Sequence, residues 1–110
     1  MARAHDLFDP IAQEHLRLPD TDIGPMFGTE GLRVRGKVYA FVAHEGAVVV
    51  KIPSGRIDEL VAEGAGERMR MRGNDLREWI ELSPALGAER WRSVIDEARA
   101  FVESITPRTE

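Results

Sequence analysis

Three arginines alternate with methionines in the run Arg68-Met69-Arg70-Met71-Arg72. Strict alternation is typical of a β-strand, whose successive side chains point to opposite faces. Arg68, Arg70 and Arg72 would then share one face. Guanidinium groups can bind a carboxylate or a phosphate bidentately, and phosphate contacts of this kind would allow DNA binding. The alternative is a solvated edge strand that is protected by charge. Acidic residues that could neutralise the arginines lie nearby: Glu63, Glu67, Asp75 and Glu78.

Lys37 and Lys51 occur beside or within predicted strands, and Tyr39 follows Lys37 by two residues. If the three side chains converge on one face of the sheet, they form a small pocket for an anionic ligand, or an enzymatic site with a perturbed lysine. The alternative is that each lysine lays its stem on apolar surface and keeps its ammonium group in water.

Other catalytic and metal-binding patterns are missing from the sequence. There is no cysteine, which excludes disulfides, thiolate zinc sites and cysteine nucleophiles. His5, His15 and His44 do not have the i, i+4 spacing of a metal site, so we expect surface or helix-packing histidines. No serine lies in a nucleophile-elbow context. We therefore predict no catalytic residue, no metal and no cofactor.

A glycine-rich segment, Met26-Phe27-Gly28 followed by Gly31, is predicted to be a tight turn. One interpretation makes it a loop that contacts a ligand. The other makes it a structural turn, with Met26 and Phe27 packed into the core. It is not a phosphate-binding loop, because the Walker spacing and a following Lys-Ser/Thr pair are absent.

Length and composition indicate a single domain spanning 1–110, with an ordered core of about residues 5–105. The net charge of −4 argues against bulk attraction to nucleic acid or anionic lipid, and 6% aromatic residues disfavour single-strand binding. The N-terminus has no apolar run typical of a signal peptide, and no stretch is apolar enough to span a bilayer. We expect a cytoplasmic protein that does not bind membranes.

The first half of the chain changes from helical to strand periodicity. A helix is predicted from His5 to Leu18, with Asp9-Pro10 as an internal start. A three-stranded antiparallel meander follows between Gly24 and Ile52, with glycines in the gaps at Arg35-Gly36 and His44-Glu45-Gly46. Its last strand, 47–52, is apolar almost throughout and is predicted to be central.

The second half predicts a helix from Ser54 to Ala62 with Ile57, Leu60 and Val61 facing the core. Two strands follow at 68–72 and 76–82, and an amphipathic helix carries Trp91, Val94, Ile95, Ala98, Phe101, Val102 and Ile105. Trp79 and Trp91 could pack together in the core, whereas an exposed tryptophan would mark a partner surface. The predicted fold is α+β, an antiparallel sheet of about five strands packed against helices, in the order α-β-β-β-α-β-β-α.

The run from Met26 to Ala40 resembles the opening of TfoX N-terminal domains and their MmcQ/YjbR-like relatives. Those carry a Met-Phe-Gly turn, a Gly-Leu strand, a Gly-Lys hairpin and an aromatic-Ala pair. Similar segments follow in order, over about residues 7–105: Val49-Val50-Lys51, Arg77-Glu78-Trp79-Ile80 and Trp91 to Val102. The resemblance implies an α+β sandwich in a stand-alone, small bacterial member, and it supplies no catalytic residues. Full-length TfoX-type regulators have a second domain, so their regulatory role is not transferred.

These observations favour a non-enzymatic binding or interaction domain, of which a regulatory domain is one version. Its partner would be an unknown protein or DNA, and both a monomer and a homodimer stay open. The alternative is a small-ligand or enzymatic pocket that uses Lys37 or Lys51.

Overall fold

The structure is a computed structural model that describes residues 4–26, 29–43, 46–71 and 73–107. Its helices are α1 (Ala4–His15), α2 (Ser54–Ala62) and α3 (Ala88–Ile105), and a short 3-10 turn at Pro84–Leu86 precedes α3. Its strands are β1 (Thr21–Met26), β2 (Thr29–Val34), β3 (Lys37–Val42), β4 (Val48–Lys51), β5 (Gly66–Met71) and β6 (Asn74–Leu82). Within these described ranges, no helix combines the length and the apolar character needed to cross a membrane.

The strands form one antiparallel sheet in the order β1-β2-β3-β4-β6-β5. The predicted α+β class is therefore confirmed, but the sheet has six strands rather than about five. The prediction missed β1, because Asp22, Gly24 and Pro25 are residues that strands generally avoid. Pro25 is tolerated because β1 is an edge strand and hydrogen-bonds on one side only.

The prediction that β4 is a central strand is confirmed, because it lies between β3 and β6. Val48, Val49 and Val50 are all fully buried. Val48 and Val50 belong to the core beneath the helices, whereas Val49 lies on the opposite face, paired with Phe41. A strand that is buried on both faces has no polar positions to alternate with, which explains its continuous run of valines.

All three helices pack against one face of the sheet and contribute to one core. The predicted apolar stripe of α3 is confirmed at Trp91, Val94, Ile95, Ala98 and Val102, which are all buried. The stripe ends at Ile105, which is 50% exposed. The final turn of α3 therefore presents an aliphatic side chain to solvent.

Two details of the predicted helices are wrong. Helix α1 begins at Ala4 and runs through Pro10, so Asp9-Pro10 is not its start. Buried Phe8 and Ile11 flank the proline, and their packing holds the helix together despite the missing N–H. Val61 is exposed, because Ile57 and Leu60 of α2 face the core and the next position turns away.

A two-residue turn, Arg35-Gly36, joins β2 to β3 with positive φ at both positions, +52° and +80°. This backbone conformation matches the twist of a hairpin, and it confirms the prediction of a glycine-containing hairpin turn at Arg35-Gly36. Hydrogen bonds of the Arg35 side chain offset the cost of its left-handed backbone conformation. Its Nη1 donates to the carbonyl oxygens of Glu103 and Thr106 at 3.3 and 2.9 Å. The guanidinium group thereby caps the negative end of the α3 dipole.

A β-bulge interrupts the pairing of β2 with β3. Leu32 pairs with Ala40, but the next residue, Arg33, pairs with Val38, so Tyr39 is an extra residue in β3. Tyr39 and Ala40 both reach the core on the helix side. Before the bulge, Lys37 pairs with core residue Val34 and therefore also lies on the helix side of the sheet.

The substitution Arg35→Ala tests the helix cap. We expect it to lower the free energy of unfolding by about 1–3 kcal/mol, because two carbonyl groups lose a charged donor and the strained turn is kept. Denaturant unfolding measures the change. The matched control is Arg17→Ala at an exposed arginine after α1, with an effect of about 0.5 kcal/mol or less. Equal effects of the two substitutions would contradict the capping role.

Candidate functional site

A depression of about 460 Å³ opens at the end of the sheet where β3 begins, β4 ends and α3 ends. Its cationic lining residues are Lys37 and Lys51. Its apolar lining residues, here called the apolar wall, are Val38, Val102 and Ile105, and the indole of Trp79 lies next to Lys51. The combination of ammonium groups with an apolar wall suits an anionic ligand that has an apolar part.

The two lysines arrive at this depression from opposite faces of the sheet. The bulge at Tyr39 carries Lys37 to the helix side, next to the last turn of α3. Lys51 pairs with Trp79 on the other side, since its neighbour Val50 faces the core. They are the only two lysines in the sequence, against 13 arginines, and this bias is a sequence signal that could have singled out the site.

Neither lysine forms an ion pair with any residue that the structure describes. The Lys51 Nζ atom lies 5.8 Å from the centroid of the Trp79 ring, a cation–π contact. Trp79 in turn packs against buried Phe41, with the ring centroids 5.9 Å apart. Among the described residues that line the depression, none is acidic. The ammonium groups therefore keep their capacity to bind an anion.

Several arginines elsewhere form ion pairs with carboxylates. Arg56 bonds Glu97 and Glu59, and these contacts raise the pKa of its guanidinium group. Arg33 holds Asp22 through two hydrogen bonds of 2.9 and 2.7 Å, which lower the pKa of that carboxyl group. The two lysines differ from these arginines, because they have no ion-pair partner among the described residues.

Tyr39 does not join the lysines, contrary to the predicted grouping of Lys37, Tyr39 and Lys51. The bulge turns it into the core, where it is fully buried and hydrogen-bonded to His15 Nδ1 at 2.6 Å. The other ring nitrogen of His15, Nε2, lies 2.8 Å from Asp96 Oδ1. In the tautomer whose Nε2–H donates to Asp96, Nδ1 accepts a hydrogen bond from the Tyr39 hydroxyl group.

This Tyr39–His15–Asp96 chain links β3, α1 and α3 across the core. His15 is 3% exposed and is the packing histidine that the sequence allowed, but its two polar partners were not predicted. Burial raises the pKa of the Tyr39 phenol well above its ordinary value. Because Tyr39 and His15 are both enclosed, the chain is a structural tie and offers no binding surface.

The arginines of β5 are less available to bind an anion than their alternating pattern suggested. β5 is an edge strand, as one interpretation predicted. Arg68 lies on the helix side opposite Ile80, and its guanidinium group donates to Asp58 Oδ1 at 2.6 Å and to the Ser54 carbonyl oxygen at 3.3 Å. Arg70 is exposed, and the pairing of β5 with β6 is irregular between Arg68 and Arg70. Arg72 lies outside the described residues.

The predicted glycine turn is described only in part. Phe27, Gly28 and the side chain of Met26 lie outside the described residues, as do His44 and the side chain of His5. Gly31 is not in a turn, because it lies within β2 opposite Phe41. A Cβ atom there would lie only 3.0 Å from Val38 Cγ1, so close packing favours glycine at this position.

The two tryptophans do not pack together. Trp91, in the first turn of α3, is fully buried on the helix side of the sheet, and its Nε1–H donates to the Ser83 carbonyl oxygen at 2.9 Å. Trp79 is half-buried on the opposite side of the sheet. Its partial exposure beside Lys51 makes it part of the depression.

A second depression, of about 510 Å³, lies between the end of α2 and the end of β6. Glu67 and Glu81 line it and face each other in register. It is larger than the lysine depression, but it has no cation and no aromatic ring among its described lining residues. The lysine depression is the better candidate because two lysines without an ion-pair partner among the described residues lie there beside an aromatic ring.

Comparison with protein-family models finds no matching family, and comparison with the curated proteins finds no match. Within the described part of the chain, no three histidine, aspartate or glutamate side chains come together as a metal site would require. Function therefore has to be inferred from the residues and their geometry.

The hydrogen-bonded Tyr39–His15–Asp96 chain predicts that the substitution Tyr39→Phe makes the protein less stable. We expect the free energy of unfolding to fall by about 1–3 kcal/mol, because His15 Nδ1 loses its partner in a dry environment. Asp96→Asn is the comparison at the exposed end of the chain, and it should cost less than about 1 kcal/mol. A Tyr39→Phe variant as stable as the natural chain would show that the hydrogen bond contributes nothing.

The raised pKa of Tyr39 predicts a loss of stability in alkali. The folded protein keeps the phenol proton at pH values above the ordinary pKa of 10.0, whereas the unfolded chain releases it. Stability should therefore fall as pH rises above that value, and it should be unaffected by this group below it. Tyr39 is the only tyrosine, so tyrosinate absorbance follows it alone. Ionisation near pH 10.0 without unfolding would contradict its burial.

Proposed function

We propose that this protein is a non-enzymatic binding domain that takes an anionic group into the depression between Lys37 and Lys51. The observation that supports the proposal is the placement of both lysines of the chain on one depression, whose described lining contains no acidic residue. The protein as a whole carries a net charge of −4, so this cationic spot stands out against its own surface.

The depression has dimensions that suit a small ligand or one end of a larger one. Its volume of about 460 Å³ falls within the range of small-molecule sites. Two ammonium groups that approach from opposite faces of the sheet can donate to one anion from two directions. Charge-assisted hydrogen bonds of this kind are about twice as strong as neutral ones.

Binding rather than turnover is the activity that this lining supports. Thr106 brings the one hydroxyl group among the described lining residues, and none of those residues is a histidine or a carboxylate that could serve as its base. The buried histidine, His15, is engaged on both ring nitrogens elsewhere in the core.

Membership of the TfoX N-terminal or MmcQ/YjbR-like family is also a proposal. Its support is that the segments that carry the resemblance lie on a strand, a turn and a second strand: β2 contains Gly31-Leu32, Gly36 lies in the turn, and β3 begins at Lys37. A binding role is compatible with that family.

DNA binding by the arginine strand is the weaker alternative. Arg68 is already bound to Asp58 and Ser54, so a phosphate would have to displace them. If DNA does bind, its affinity should fall steeply with salt and depend on Arg70.

Calorimetric titration with small carboxylates, phosphates and sulfonates, each beside its neutral amide or alcohol, tests the main proposal. We expect at least one anion to bind while its neutral counterpart does not. Lys37→Gln and Lys51→Gln should each weaken that binding by about 10-fold or more, since each removes a charge-assisted hydrogen bond.

Arg77→Gln is the matched control, because it removes a positive charge from an exposed residue of β6 outside the lining. Its effect on affinity should be small. Absence of binding by every anion, or equal losses in the lysine and Arg77 variants, would refute a specific site.

A further inference from the structure

We infer that the ligand of the lysine depression is a carboxylate carried on an apolar alkyl or aryl body, rather than a phosphate. The inference rests on the proposed function and names the chemical class of ligand for that same site. Three features of the lining carry it: the apolar wall, the choice of lysine, and the position of the α3 C-terminus.

The apolar wall offers contacts that an inorganic anion could not use. Val38 comes from β3, and Val102 and Ile105 come from the last turns of α3. Ile105 continues the buried stripe of α3, yet half of its surface stays exposed at the depression. Covering this side chain with an alkyl or aryl group would remove apolar surface from water, which a free phosphate cannot do.

The cationic groups lack the fixed donor geometry that many phosphate sites have. Arginine forks and backbone N–H groups at a helix N-terminus provide that geometry in such sites. The described lining has neither, although the chain contains 13 arginines. Two lysines supply point charges that can neutralise one carboxylate without a fixed bidentate geometry.

The end of α3 opposes a higher negative charge. Thr106, which follows the last helical residue, lines the depression, so the negative end of the helix dipole lies beside the ligand. Arg35 caps the carbonyl oxygens of Glu103 and Thr106 and offsets part of this field. A carboxylate with one charge meets less repulsion there than a phosphate dianion.

This chemistry has two natural sources: a free apolar acid, and the C-terminal residue of a protein whose last side chain is apolar. Both present a carboxylate next to a hydrocarbon group. Octanoate represents the first source. A short peptide that ends in leucine, with its free carboxylate or with a C-terminal amide, represents the second.

Calorimetric titration of the full chain with octanoate, acetate, inorganic phosphate and octanol separates the contributions of tail and charge. We expect octanoate to bind at least about 100-fold more tightly than acetate, because its added methylenes leave water. Phosphate should bind more weakly than octanoate. Octanol should also bind more weakly than octanoate, because it has the tail without the negative charge. The leucine peptide should bind only with its carboxylate free if a protein C-terminus is the source.

Two aliphatic residues of similar exposure provide matched variants. Ile105→Asn removes part of the apolar wall, and Val61→Asn changes a residue of α2 that is 43% exposed and lies outside this lining. We expect Ile105→Asn to weaken octanoate about 10-fold and to leave acetate unchanged, whereas Val61→Asn should change neither.

The outcomes separate this inference from the proposed function. Phosphate binding as tight as octanoate binding, lost in the lysine variants, would overturn the ligand class and keep the anion site. Octanoate binding that survives Lys37→Gln and Lys51→Gln together would place the acid elsewhere and overturn the inference. Failure of every anion to bind would overturn both.

Discussion

The β-bulge at Tyr39 is the constraint on which the interior and the candidate site both depend. In an uninterrupted strand, Ala40 and Val38 would face the helices, and Tyr39 and Lys37 would face away. The extra residue reverses the pattern on its N-terminal side, because a one-residue shift moves every side chain to the other face. Tyr39 enters the core, and Lys37 arrives beside the end of α3.

Polar groups fix the helices over this distorted strand. The Tyr39–His15–Asp96 chain sets α1 and α3 against β3, and Arg35 attaches the end of α3 to the β2–β3 hairpin. These contacts determine where the last turn of α3 lies relative to Lys37. The candidate site, which includes Lys37 and Ile105, is therefore positioned by residues that do not line it, as rigid sites generally require.

Sequence patterns predicted the elements whose packing is regular. The stripe of α3, the continuous valines of β4 and the helix at Ser54–Ala62 could be recognised because periodicity and burial agree there. β1 could not, since Asp22, Gly24 and Pro25 form a strand only because β2 pairs with them. The bulge could not either, because no local residue pattern marks which position is extra.

The same limit explains what was predicted of the site. Lys37 and Lys51 could be singled out as charged residues in strands. Tyr39 was grouped with them, but the bulge carries Tyr39 and Lys37 together to the helix side, where Tyr39 is enclosed in the core. Trp79 was assigned to the core because large aromatics usually lie there. Its position beside Lys51 follows from the pairing of β4 with β6, which depends on residues far apart in the chain.

Titration of the reductively ¹³C-methylated protein with octanoate is the most direct test of the central claim that both lysines form one apolar carboxylate site. Methylation keeps the charge of each lysine, and the chain contains only Lys37 and Lys51, so each gives one assignable dimethyl-lysine signal. We predict that both signals shift along one saturation curve with a single dissociation constant. Movement of only one signal, or different constants for the two, would contradict the account.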